Sequence, residues 1–312
     1  MDNLLLSFHI VAPLMLYMAA GYVIRAAGLL DEAGFQGLSR VVFCACVPAL
    51  CCDNLRALDF AEAFSDPSVL YMAAAVLLLF LITALIVPRF CSVPARCGVL
   101  IHGIFRSNDG VFGLAVAAAL FGPSDMGLMV LCVAVTIPLY NLLAVVVMEY
   151  YRGGRADIGR ILLKVLTNPI ILGCIAGALL SLLKLRLPAF IETPLAGLGS
   201  ASAPLGFLAL GGALSFRSLR ENRLALSMAC LFKLAVIPAV VLFVFYLLGM
   251  RGSALLVAAV IFGAPTAMTV YPMACSMGGD EKLAGGIVAL TSALSLLSMF
   301  LIIFLLRETG VA

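Results

Sequence analysis

The sequence predicts an all-α polytopic membrane protein of ten transmembrane helices, arranged as two inverted five-helix repeats (residues 1–156 and 157–312) folded together as one unit. Three observations predict it. The 312 residues are 64% hydrophobic and 11% charged, with mean hydropathy +1.19, whereas a soluble domain carries about 25% charged residues. Apolar runs recur at roughly 4–24, 35–55, 67–87, 99–121, 126–148, 161–183, 195–216, 224–248, 254–276 and 283–306, close to the ~17–25 residues that cross a bilayer. Finally, marked residues recur at half the chain length.

That recurrence sets the architecture. Pro13 and Pro169 are 156 apart, as are Gly21 and Gly177, and Pro48 and Pro204; later the offset becomes 155, in Asp125 with Asp280 and Thr136 with Thr291. Five helices per half is an odd number, so the second half is expected to insert upside down relative to the first. The seventh segment, LAGLGSASAPLGFLALGGALSF, is dominated by small residues, which let helix backbones approach closely, so it is expected to lie against other helices.

Orientation follows from the basic residues of the connections. Loops after odd-numbered helices carry Arg25, Arg89, Arg96, Arg152, Arg155, Arg160, Arg217, Arg220, Arg223 and Lys282. The other face carries Arg56, Lys184, Arg186, Arg251 and Arg307, and its 53–66 loop is acidic through Asp53, Asp59, Glu62 and Asp66. The basic face is expected to be cytoplasmic in a cell (inner) membrane, with both termini extracytoplasmic. The opening MDNLLLSF lacks a positively charged start and a small-residue cleavage site, so no removable signal peptide is expected.

Several function classes lose support. No basic tract is interleaved with aromatics, so nucleic acid is not an expected partner. Six of the ten cysteines (Cys44, Cys46, Cys132, Cys174, Cys230, Cys275) sit inside apolar runs as small hydrophobes, and no Cys/His set has metal-ligand spacing. No nucleotide loop, nucleophile elbow or catalytic carboxylate pair occurs. The expectation is a chain that is not an enzyme and holds no cofactor or metal.

The fourth apolar run contains FRSNDGVFGL, residues 105–114. Asn-Asp-Gly is a turn signal that a helix interior disfavours, and Arg106 and Asp109 each cost at least ~2.5–3.5 kcal/mol at membrane depth. Unwound backbone survives in hydrocarbon only where protein buries it or a watery cavity meets it. The run is therefore read as a helix interrupted near mid-depth, the bland alternative being one loop between two short helices. Under the 155 offset Gly110 falls opposite Pro265, so the ninth run is expected to break at FGAPTAMTVYP, residues 262–272, where Pro265 removes a donor and disfavours helix at Ala264.

Half-helix N-termini suit an anion and half-helix C-termini a cation. Asn108, Gly110, Pro265, Thr266 and Thr269, with Tyr140 and Asn141 beside Pro138, are the candidate substrate-binding residues; the alternative is that these groups satisfy the freed backbone. Asp109 joins that set and is also a coupling or charge-pair candidate, with Arg106 and Lys233 as possible partners. Lys233, about ten residues into the eighth helix, is deeper than a lysine readily snorkels. His9 and His102 read as helix-contact donors.

SNDGVFGLAVAAALFG resembles the fourth-helix motif of the auxin efflux carrier family, and GAPTAMTVYPMACSMGGDEKLAGGIVALTSALS its ninth helix and the following turn; Lys233 with Pro238 is similar to its eighth-helix basic residue and proline. The resemblance implies the fold of bile-acid and arsenite transporters, with the fourth and ninth helices crossing. It also implies a scaffold beside a mobile core, elevator-type alternating access, and Asn108 meeting a substrate carboxylate at the crossing. Ala115 stands where the family has a proline, and Asp109 where it more often has an uncharged residue. The implied cargo is a small organic anion such as malate or malonate, driven by a proton acting through Asp109 or by potential and anion gradients, with a possible homodimer. A sodium-coupled symporter and a non-transporting membrane sensor are the alternatives.

Overall fold

The computed structural model describes residues 2–58, 66–121, 123–152 and 158–308. Asp59, Glu62 and Arg155 lie outside the described residues, as do the side chains of His9, Asp125, Arg160 and Arg307. Every regular element among the described residues is helical: α1 Asp2–Ala26, α2 Glu32–Arg56, α3 Pro67–Arg89, α4 Pro94–Phe105, α5 109–120, α6 Pro123–Tyr151, α7 Ile158–Leu166, α8 Pro169–Leu182, α9 Ala189–Ala213, α10 Phe216–Glu221, α11 Arg223–Leu247, α12 Ser253–Gly263, α13 Val270–Met277 and α14 Glu281–Glu308. Six of these (α2, α3, α6, α9, α11 and α14) contain a stretch long and apolar enough to cross a membrane. Shorter apolar helices occupy Ala12–Ala26, Asp109–Ala118, Pro169–Leu182 and Ser253–Gly263.

Local chemistry sets the boundaries. Asp31 caps α2 by accepting from the Gly34 N–H at 2.8 Å, Asp66 caps α3 through the Ser68 N–H at 2.8 Å, and Asn168 caps α8 through the Ile170 N–H at 3.0 Å. The Asn168 cap divides the apolar run 161–183, expected as one helix, into α7 and α8. Pro169 at the first position of α8 donates no hydrogen bond, so α7 stops before it. At the other end of α13, Gly278 takes φ +77, and the Gly279 N–H closes the turn onto the Ala274 carbonyl at 2.9 Å.

Two helices carry the same local distortion. A widened π turn spans Val42–Cys46 in α2 and Phe232–Val236 in α11, each ending two residues before a proline, Pro48 and Pro238. Proline lacks the N–H that would return to the preceding turn, and one wide turn absorbs the mismatch without ending the helix.

Around the breaks lie α3, α4, α6 and α11–α14; beside them α1 packs on α9, α9 on α2 and α2 on α8, with α1 also against α14 and α2 against α13. The α1–α9 and α2–α8 contacts are held at backbone distance by glycine. A Cβ on Gly211 of α9 would lie 1.9 Å from the Met18 carbonyl oxygen of α1, one on Gly21 would lie 2.0 Å from the Leu208 oxygen, and ones on Gly173 and Gly177 of α8 would lie 2.4 and 2.5 Å from the Pro48 and Cys52 carbonyl oxygens of α2. The small-residue helix α9 is thus buried against α1 and α2, as its composition predicts.

This packing yields a stability test. Gly211→Ala must push α1 and α9 apart and should destabilise by about 1–3 kcal/mol, the usual range for overpacking. Gly197→Ala on the same helix meets nothing within 4 Å and should be neutral or slightly stabilising, because alanine favours helix. Thermal unfolding of the two variants in detergent checks the contrast.

Candidate functional site

α4 ends at Phe105 because Arg106 turns extended, with φ −81 and ψ 126. α12 ends at Gly263 because Ala264, preceding Pro265, takes φ −60 and ψ 147. The two unwound segments meet and pair: Ser107 faces Thr266 in an isolated antiparallel bridge, and the Asn108 N–H donates to the Pro265 carbonyl at 2.8 Å. The Thr266 N–H donates to Thr291 Oγ1 at 3.2 Å, and the Thr266 hydroxyl donates to the Gly103 carbonyl at 2.7 Å. On restarting, α5 uses the Asn108 carbonyl to accept from the Phe112 and Gly113 N–H groups at 3.1 and 3.0 Å. The freed groups are thus met partly across the pair, partly by Thr291 of α14 and partly by the restarting helix, as buried backbone requires.

The ionisable groups are arranged around this pairing. Asp109, 2% exposed, accepts from the Thr136 hydroxyl of α6 at 2.6 Å and from the Gly110 N–H at 3.1 Å. Lys233, on the widened turn of α11, is fully buried and donates to Ser107 Oγ at 2.5 Å, so it does not snorkel. Arg106 is 5% exposed, with its guanidinium carbon 6.0 Å from the Tyr140 ring centre. Among the described residues neither Arg106 nor Lys233 forms an ion pair with Asp109; the ion pairs lie elsewhere, at sites such as Arg96–Asp280 and Lys164–Glu149.

A cavity of about 100 Å³ opens beside the paired segments, walled by Arg106, Ser107, Asn108, Asp109 and Gly110 of the first break, Thr269 and Met268 of the second, Asn141 of α6 and the Val47–Asn54 face of α2. A larger cavity of about 250 Å³ shares Cys51, Asn54, Leu114 and Ile137 with it and reaches Asp53 and Arg56 at the end of α2. There Arg56 is clamped between Asp53 and Glu192 at 2.7 and 2.8 Å. The two cavities are therefore neighbours across the same side chains, one towards the α2 end and the other beside the paired breaks.

Of the residues singled out from sequence, Asn108, Asp109, Gly110, Thr269 and Asn141 line the inner cavity together with Arg106. Pro265 and Thr266 do not; their polar groups are spent on the pairing. Tyr140 lies behind Arg106, fully buried. Asn141 donates to Cys51 Sγ at 2.9 Å, bridging α6 to α2. Ser107, as the acceptor for Lys233, and Thr136, as the donor to Asp109, were not read as site residues. Thr136 had shown only as the partner of Thr291 in the repeat, a signal that marks equivalence and not contact. His102 is fully buried with both ring nitrogens unpartnered among the described residues.

The inner cavity has an excess of donors. Nε and Nη1 of Arg106, Nδ2 of Asn108 and the Thr269 hydroxyl are buried without a hydrogen-bond partner among the described residues. Leaving such groups unmet is costly, about 1–3 kcal/mol each and more for a charged one. The arrangement is chemically suited to an acceptor-rich, negatively charged guest.

A family model described as membrane transport protein matches residues 6–303. An uncharacterized transporter of Methanothermobacter thermautotrophicus is 24% identical over 302 residues, covering 94% of this chain and 96% of the relative. An uncharacterized transporter of Methanocaldococcus jannaschii is 25% identical over 306 residues, covering 94% and 96%.

The Asp109–Thr136 contact can be tested without any substrate. Thr136→Val removes the only donor to Oδ2 that the described residues provide and should lower stability by about 1–3 kcal/mol, while Thr136→Ser should retain most of it. Denaturant or thermal unfolding of the pair measures the difference.

Proposed function

The chain belongs to the auxin efflux carrier family of membrane transport proteins, and on that premise we propose that it is a secondary active transporter of a small organic anion, with its substrate site at the crossing of the two broken helices. The observation that carries the reading is the cavity at that crossing, whose lining residues Arg106, Asn108 and Thr269 carry buried donors that no described residue satisfies. Backbone unwound at the site of a discontinuous helix pair is how secondary transporters build midplane substrate sites. We read the chain as ten spans in two inverted halves, with the basic loop face cytoplasmic. α1, α2, α8 and α9 then serve as the scaffold, and the helices around the crossing as the moving core of an elevator. Two features support that division: the glycine-tight packing among α1, α2, α8 and α9, and a cavity wall shared between α2 and the paired breaks. The outer cavity at the α2 end, adjoining the inner one, supports a reading in which the substrate enters from that side.

Purified protein in liposomes, assayed for uptake and counterflow of labelled carboxylates under imposed pH, sodium or potential gradients, tests the reading and identifies the driving force. Anion counterflow is expected, and Asn108→Ala should reduce it by roughly 10- to 150-fold through loss of one hydrogen bond to a charged guest, typically ~1.5–3 kcal/mol. Failure of every carboxylate to move under every gradient would refute the proposal.

A further inference from the structure

Counting charge around the inner cavity says more about the cargo, given the reading that the crossing is a substrate site. Two cations, Arg106 and Lys233, and one carboxylate, Asp109, are buried together at the first break and its neighbour on α11. Lys233 and Asp109 already have hydrogen-bond partners, Ser107 for the first, Thr136 and the Gly110 N–H for the second. Arg106 alone holds a formal charge with two nitrogens, Nε and Nη1, that meet no acceptor among the described residues. It sits on the cavity wall beside the free Asn108 amide and Thr269 hydroxyl. From this geometry we infer that Arg106 is the carboxylate anchor of the site and that the cargo is a monocarboxylate with a short apolar body.

The electrostatic argument is direct. A guanidinium out of water needs a counter-charge, and its planar donors match a carboxylate better than any other common anion except phosphate. With the three protein groups ionised the site carries one net positive charge, which a single carboxylate balances. A dicarboxylate would leave one negative charge buried without a counter-ion, and Asp109 is the reason: it occupies the place that a second substrate carboxylate would otherwise take in the charge balance. The rest of the cavity agrees, since Val47, Leu50, Val111, Leu114, Ile137 and Met268 supply apolar wall and its other polar lining residues, Asn54, Asn141 and Ser107, are neutral, so no further cation is there to balance a second anionic end. The size of the cavity, about 100 Å³, keeps the apolar body to a few carbons.

The test uses three compounds on one four-carbon frame: 2-hydroxybutyrate, malate as its dicarboxylate counterpart, and 2-hydroxybutyramide as its neutral one. In proteoliposomes, wild-type counterflow of labelled 2-hydroxybutyrate should be inhibited at least about tenfold more weakly by malate and by the amide than by unlabelled 2-hydroxybutyrate itself. Arg106→Gln should lose the preference for acid over amide, and Arg106→Lys should keep part of it. Asp109→Asn raises the site charge by one and should shift preference from 2-hydroxybutyrate towards malate, a gain that a merely structural role for Asp109 would not produce. Malate competing as well as 2-hydroxybutyrate in the wild type, or an Asp109→Asn protein whose preference is unchanged, overturns the charge count. A folded Arg106→Gln protein with undiminished affinity for the acid overturns the anchor. Should Arg106→Gln fail to fold, the wild-type panel and Asp109→Asn still decide. Transport of other anions with rejection of 2-hydroxybutyrate sinks this inference alone, whereas transport of no carboxylate sinks it together with the carrier reading.

Discussion

The pairing of the two unwound segments is the constraint from which the rest of the site follows. Three residues leave the helix after Phe105 and six after Gly263, which frees backbone donors and acceptors inside an apolar protein. The Asn108–Pro265 bond, the Ser107–Thr266 bridge and the Thr266 contacts to Gly103 and Thr291 consume those groups. Once the backbone is satisfied in this way, the side chains of Arg106, Asn108 and Thr269 are released from capping duties and left facing the cavity. The proposed anion site follows from this: the polar side chains are surplus to what the breaks themselves need.

Asp109 and Lys233 are held by different means. Thr136, on a helix twenty-seven residues further along the chain, fixes the carboxylate, and Ser107, within the break itself, fixes the ammonium. Neither contact is an ion pair, so the two charges act on the cavity through their fields and not by cancelling each other at contact distance. In an interior of low effective dielectric such fields reach a bound guest with little screening.

Much of the fold was legible in the sequence because membrane insertion imposes severe rules. Apolar runs, Asn-Asp-Gly and Ala-Pro-Thr breaks, and a helix of small residues each have one physically comfortable solution in hydrocarbon, and the helices, breaks and tight α9 packing follow them. The division of α7 from α8 at Asn168 was missed because hydropathy does not register a side-chain cap. The widened turns before Pro48 and Pro238 escaped for a related reason: a proline announces a distortion but not its form. Within the site, Asn108, Asp109 and Thr269 were recognisable from the break itself. The unpaired state of Arg106 was not, because it depends on where Asp109 finds its donors, and Thr136 lies far away in sequence. Thr266 illustrates the converse: a hydroxyl in the motif that turned out to be spent on the Gly103 carbonyl.

Mutual satisfaction of the two breaks also bears on how the chain is made. Residues 105–109 leave the ribosome well before residues 264–269, and at ~5–20 residues per second the interval is on the order of ten seconds. Throughout that time the first break has no Pro265 carbonyl to accept the Asn108 N–H and no Lys233 beside Ser107. For that interval an arginine, an aspartate and open backbone that lipid cannot solvate depend on water or on other protein, and the first break acquires its own partners only when the second half is complete.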